Sequence, residues 1–314
     1  MNTFEIENKI SIVIPFYNEE EGMSSLIDKI ESYYLERKFD FEIIFVDDGS
    51  DDLSRTIIKA HQKISFPFKL IGFSKNFGSH SAIRAGFKSS TQLSSTWLPA
   101  DLQVSFDSIE KLHDRLIEDC DIVYGVRESI QSGFFEKLFS RLYSSIMRKY
   151  VNKSFPIKGI ETILVNRKVL DVLNQNVESN SSIALHIMSL GFKEKFIDVN
   201  KIERDFGKSK WTLSKKVKLL IDSFIGFSFV PIRLVTLIGI LFFVIGLVWT
   251  SYIVTRKIFY NDLMSGWTAL TSILLLGFGI TNICLGIIAE YLWRTLDASR
   301  KRPTYIIDEI VDFK

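Results

Sequence analysis

The sequence predicts an α/β domain with a mostly parallel sheet, followed by an amphipathic helical stretch and two long apolar helices. Short β-branched runs end again and again in polar clusters, and segments with helical spacing separate them. In the last third, apolar residues become nearly continuous. The 314 residues leave room for one large domain or two smaller ones. A net charge of +2 gives no uniformly basic character, so nucleic acid is not an expected partner. Cys120 and Cys284 lie far apart, with no Cys-x-x-Cys or His-rich spacing, and read as free thiols in a reducing compartment rather than a zinc site. Residues 1–9 carry charges and no apolar core long enough for a signal peptide, so the chain is expected to start in the cytoplasm.

Residues 10–15 (Ile-Ser-Ile-Val-Ile-Pro) form the first strand. Asn18 and Glu19 open a helix with apolar spacing at Met23, Leu26, Ile27 and Ile30. Residues 43–50 (Ile-Ile-Phe-Val-Asp-Asp-Gly-Ser) are a buried parallel strand that ends in a polar turn, and the three elements make a right-handed βαβ unit. The alternative for the turn is an ordinary Asp-Gly connection. A helix over 53–61, a strand over 69–73, the loop Ser74-Lys75-Asn76-Phe77-Gly78-Ser79-His80, a helix over 82–87 and a strand over 96–98 follow. That strand ends at Pro99-Ala100-Asp101-Leu102-Gln103; Asp101 would otherwise cap the helix of residues 105–116. Ligands in open α/β sheets bind at such strand ends. Residues 121–127 read as a further strand with Arg127 past its end, and 129–150 as a basic amphipathic stretch.

The ordered series Val-Ile-Pro-Phe-Tyr-Asn-Glu, Val-Asp-Asp-Gly-Ser, Ser-Lys-Asn-Phe-Gly-Ser-His and Ala-Asp-Leu-Gln closely resembles the family 2 glycosyltransferases of the polyprenyl-phosphate type. These include dolichyl-phosphate mannose synthases and bacterial undecaprenyl-phosphate glucosyltransferases. The resemblance runs from about residue 10 to about residue 305. It implies a GT-A, Rossmann-like catalytic domain over 1–205. It also places Pro15, Tyr17, Glu19, Asp47, Asp48, Lys75 and Gly78 about a nucleotide sugar. Asp101 and Gln103 match the motif that holds Mg²⁺ or Mn²⁺, but the family's first carboxylate position is Pro99 here. One carboxylate with phosphate oxygens and water can still hold such an ion, more weakly.

Glu161 stands where the family has an acceptor-side aspartate, followed by Arg167. A lipid phosphate is already largely dianionic at neutral pH, so orientation is the expected job of Glu161. The stretch Arg204-Asp205-Phe206-Gly207-Lys208-Ser209-Lys210-Trp211 resembles the family's acceptor loop, and Arg127, Arg204, Lys210 and Trp211 are expected on the lipid phosphate. Lys208 and Lys210 are expected to help offset charge on the departing nucleotide.

Leu213, Val217, Leu220, Ile221 and Phe224 oppose Lys215, Lys216 and Lys218, which predicts an interfacial helix within 206–232. Residues 234–254 and 267–288 are each long enough to cross a bilayer of about 30 Å. Lysines and arginines crowd both flanks while only Arg256 and Lys257 lie between, so the catalytic domain and both termini, including a tail over 292–314, are expected in the cytoplasm. The resulting expectation is an inverting transfer from a nucleotide-diphosphate sugar, UDP-linked, to a polyprenyl phosphate by a multi-pass inner-membrane enzyme. The resemblance also implies a homo-oligomer. A non-catalytic membrane scaffold is the alternative, favoured by Pro99 and Glu161. A processive polysaccharide synthase would carry Gln-x-x-Arg-Trp and more spans.

Overall fold

The computed structural model describes residues 9–36, 40–61, 65–101, 103–127, 152–176, 182–200, 266–299 and 303–313, with scattered positions in 141–149 and 237–259. Its elements run β1 (Lys9–Phe16), α1 (Glu20–Glu36), β2 (Asp40–Asp47), α2 (Ser54–Ala60), β3 (Phe68–Phe73), α3 (Ser79–Ser89), β4 (Ser94–Trp97) and α4 (Phe106–Ile117). Then come β5 (Ile122–Arg127), β6 (Ile160–Asn166), α5 (Arg167–Gln175), α6 (Ile183–Ser189), β7 (Glu194–Val199), α7 (Trp267–Ser299) and β8 (Ile307–Phe313).

The strands form one sheet in the order β7-β5-β6-β4-β1-β2-β3-β8. The block β4-β1-β2-β3 is parallel throughout, as the βαβ reading requires. β6 runs antiparallel between β4 and β5, and β8 runs antiparallel along β3. Alternation sorts the side chains of β1. Ile10, Ile12, Ile14 and Phe16 join one apolar cluster with Met23, Leu26, Ile27 and Ile30 of α1. Val13 points the other way, toward α3, at Gly86, where an added Cβ would meet Val13 Cγ1 at 2.2 Å. β1, β2 and β3 therefore end within about one residue of one another in register, while β4 stops opposite Val13, and their C-terminal ends lead into the connecting loops.

The fold divides into two compact units, Met1–Ser223 with Pro303–Lys314, and Phe224–Arg302. The segment Ile307–Phe313, expected within a tail, is an edge strand of the same sheet. α7 is one continuous helix of 33 residues that runs past the expected end at 288. Among the described residues no helix is long and apolar enough to cross a membrane. The expected span over 267–288 falls in α7, several of whose side chains lie outside that description; most of 234–254, the interfacial stretch 206–232 and the acceptor loop at 204–211 lie outside the described residues.

Candidate active site

The loops after β1 and β2 are stitched together by side chains. Asn18 takes a left-handed conformation, φ 52°, and its Oδ1 accepts from the Asp51 amide at 2.9 Å, while its own amide donates to Ser50 Oγ at 2.9 Å. The Glu19 amide donates to Ser54 Oγ at 2.9 Å, the Glu20 amide donates to Asp52 Oδ2 at 3.1 Å, and the Leu53 amide donates back to Glu20 Oε2 at 3.0 Å. Asn18 and Glu19 thus tie the start of α1 to the neighbouring loop. Tyr17 and Glu19, half-buried, flank this junction, and Pro15 is paired with Val46 just inside the strands.

Asp47 and Asp48 occupy the end of β2 as expected, and the protein already holds both. Asp47 is fully buried; Oδ1 accepts from the Ser50 amide at 2.9 Å and Oδ2 from Arg55 Nε at 2.7 Å. Asp48, 4% exposed, accepts from the amides of Phe77 at 2.7 Å and Gly78 at 2.9 Å. Burial pushes its carboxyl up to about 6, against the pull of those two amides, with Asp47 adding repulsion. Between them and the next loop, Gly49 has φ +72°, and a Cβ there would lie 2.4 Å from the Lys75 carbonyl carbon. Only glycine lets the Lys75 backbone cross so closely. Lys75 sets its ammonium over the Phe77 ring at 5.2 Å, and Gly78, φ +95°, starts α3.

Asp101 and Gln103 share one short turn past β4, the Gln103 amide donating to Asp101 Oδ1 at 3.3 Å. The cap of α4 is Ser105, whose hydroxyl accepts from the Ser108 amide, so Asp101 has no capping duty. A carboxylate and an amide carbonyl are hard oxygen donors, which suit Mg²⁺ or Mn²⁺ bound chiefly by a diphosphate. Among the described residues no group of three or more His, Cys, Asp or Glu side chains could hold a metal by itself. Glu161, on β6, forms an ion pair with Arg127 at the end of β5, so two residues expected on the acceptor side meet. Thr162 beside it donates to the Trp97 carbonyl at 2.6 Å and fixes β6 against β4. Arg204, Lys208, Lys210 and Trp211 lie outside the described residues.

Two features were not singled out from the sequence, and a third was read only as part of a basic stretch. Arg55, on α2, also reaches the Phe73 carbonyl at 3.3 Å and Asp308 of β8 at 3.4 Å. Burial opposes its charge, but Asp47 and then Asp308 more than offset this and raise its pKa. His80, in the first turn of α3, has both ring nitrogens buried without a hydrogen bond among the described residues, and burial with the nearby Arg84 lowers it to about 4, so it is neutral. Arg84 Nη2 lies 3.1 Å from His186 Nδ1 of α6, inside the same domain. Finally, a cavity of about 600 Å³ is lined by Arg141, Ser145, Arg148, Lys149, Lys153 and Ile157. It is built locally: Arg148 Nε donates to the Phe155 carbonyl at 2.6 Å and Ser144 to that of Ile157 at 2.8 Å. The basic stretch 129–150 signalled Arg141, Arg148 and Lys149, but neither Lys153 nor the convergence of the four.

The model for glycosyl transferase family 2 matches residues 11–173. A Bacillus subtilis (strain 168) glycosyltransferase, YkcC, is 31% identical over 95% of this chain and 93% of its own. An undecaprenyl-phosphate 4-deoxy-4-formamido-L-arabinose transferase of Proteus mirabilis is 29% identical, covering 100% of this chain and 97% of its own. Among solved structures, glucosyl-3-phosphoglycerate synthase from Mycobacterium tuberculosis superposes with a TM-score of 0.48 at 15% identity, covering 68% of this chain and 78% of its own. The matched segment opens within β1 and closes within α5, and so takes in every strand end described above. The chain belongs to glycosyl transferase family 2 and is a glycosyltransferase of the GT-A α/β fold.

Proposed function

We propose that the enzyme transfers a sugar, with inversion, from a UDP-linked donor to a polyprenyl phosphate, undecaprenyl phosphate in a bacterial membrane, at the cytoplasmic face. The observation that carries this reading is the cationic cavity of Arg141, Arg148, Lys149 and Lys153 in the same domain as the donor loops. Four cations around one hollow suit a dianionic phosphate and have no use for a neutral sugar hydroxyl. The name of the Proteus mirabilis relative, aligned end to end, supports the same acceptor. The apolar residues 234–254 and 267–288 supply the membrane attachment in this reading.

The donor's base and ribose lie over the loops at residues 17–19 and 47–50, beside Asp48 and the Phe77-Gly78 amides. Asp101 and Gln103 would hold the divalent ion, which when bound neutralises the diphosphate and eases its departure. On the acceptor side a phosphate oxygen attacks the anomeric carbon from the face opposite the leaving nucleotide. With its second pKa near 6, the phosphate needs little help from a base. Glu161 therefore orients: its ion pair holds Arg127 in place to receive the phosphate, and its extra methylene relative to aspartate is taken up in that contact.

Detergent-purified protein given undecaprenyl phosphate, Mg²⁺ or Mn²⁺ and a panel of nucleotide sugars should release nucleotide diphosphate only when the lipid is present. Asp101→Ala should abolish the release. Lipid-independent release would overturn the lipid acceptor, and silence across the panel with folded protein would overturn the reading in favour of the non-catalytic membrane scaffold.

A further inference from the structure

β8 is held to β3 by more than its ladder. Phe313 stacks on Phe68 with centroids 4.4 Å apart, Tyr305 stacks on Phe73 at 5.1 Å, and the Ser74 amide donates to the Ile306 carbonyl at 3.1 Å. Lys69 of β3 faces Asp312 at 3.6 Å, and Lys59 of α2 donates to both oxygens of Glu309 at 2.7 and 2.6 Å. One contact reaches further inward. The guanidinium of Arg55 lies over Gly72, where a Cβ would meet its Cζ and Nη2 at 2.7 Å; it points Nε at Asp47 and Nη1 at Asp308, with Glu309 at 3.9 Å.

From Asp47 the bonds continue. The carboxylate accepts from the Ser50 amide, Ser50 Oγ accepts from the Asn18 amide, and Asn18 Oδ1 accepts from the Asp51 amide. A row of single hydrogen bonds thus leads from the C-terminal strand to both loops that frame the strand ends. Asp47 is wholly buried and Arg55 is the cation on it, so the position of Arg55 fixes where that carboxylate sits. Asp308 and Glu309 are more exposed, 59% and 37%, and act as the outer stays of the guanidinium.

We propose that Arg55 is a positioning residue for the donor site: by bridging Asp47 to Asp308 it makes the order of loops 17–20 and 47–50, and so nucleotide affinity, depend on the docked strand β8. The affinity half of this rests on the donor placement proposed above; the loop-order half does not. The donor site is then completed by a segment that joins the sheet only after the chain has passed through its second unit.

The test uses the full chain in detergent and compares wild type with Asp308→Asn/Glu309→Gln, Gly72→Ala and Asp312→Asn. The first removes the outer stays together with the Lys59–Glu309 ion pair, the second displaces the guanidinium without removing it and leaves that pair intact, and the third cuts a β8 ion pair that does not touch Arg55. Two quantities are read: amide hydrogen exchange in peptides covering 16–22 and 47–54, and UDP affinity by calorimetry with Mn²⁺. The expected result is faster exchange in both peptides and UDP binding about fivefold weaker in the first two variants. Asp312→Asn should leave both unchanged. Unchanged exchange in the first two variants would overturn the proposal, and so would an equal effect from Asp312→Asn, which would reduce β8 to a general brace. If the wild type takes up no UDP, the donor reading fails, and the exchange comparison alone decides the role of Arg55.

Discussion

Asp48 shows how the strand ends store a titration. Its ordinary pKa of 3.8 is raised to about 6, mainly by burial. Between those values the folded chain keeps a proton that the unfolded chain has released, so the stability linked to this group is full below 3.8 and is lost as pH rises through 6. Two pKa units correspond to at most about 3 kcal/mol. Thermal unfolding of wild type and Asp48→Asn between pH 4 and 7.5 should show the difference moving against the wild type as pH rises; a flat difference would contradict the burial argument. The place of the carboxylates was legible in the sequence, because an apolar run into Asp-Asp-Gly-Ser puts them at a strand end, although the same stretch also reads as an ordinary Asp-Gly turn. Arg55 was not, since within Ser-Arg-Thr-Ile-Ile-Lys-Ala it has the pattern of a solvent-facing helix residue. Its partner Asp308 is 253 positions away, and the room for its guanidinium comes from a missing Cβ on another strand.

Among the elements, α3 carries the tightest demand. Gly86 brings the helix onto β1 at Val13, which is fully buried, and the gap will not accept a methyl group without moving one of the two. Gly86→Ala should cost about 1–3 kcal/mol, as overpacking does. The shift would pass to Gly78 and Phe77 at the helix start, so donor affinity should fall along with the melting temperature. Unaltered stability would mean that α3 floats on the sheet. The parallel block was readable because strands buried on both faces must be apolar throughout, whereas β8 (Ile-Asp-Glu-Ile-Val-Asp-Phe) breaks strict alternation at Asp308-Glu309 and Ile310-Val311 and is mostly exposed, and so reads as part of a tail. β6 escaped for a different reason: its antiparallel entry between β4 and β5 comes after an intervening stretch, and pattern alone does not say where a late strand inserts.

At the scale of the whole molecule, the return of β8 constrains topology. The chain on either side of Phe224–Arg302 contributes to one sheet, so it lies on one side of any bilayer that the second unit enters. Such a unit crosses an even number of times, which agrees with two apolar stretches and with basic residues concentrated outside them. A single crossing would leave β3 with an unpaired edge and β8 stranded on the far side. In a background with Cys120 and Cys284 replaced by serine, Asn261→Cys should react with a membrane-impermeant maleimide in intact spheroplasts. Lys88→Cys, on the exposed face of α3, should react only after the membrane is opened. Labelling of both positions in intact spheroplasts would place the catalytic domain outside, and labelling of neither until lysis would mean that residue 261 never crosses. Either result would separate the family's chemistry, which stands on the sheet and its loops, from the membrane arrangement proposed for it.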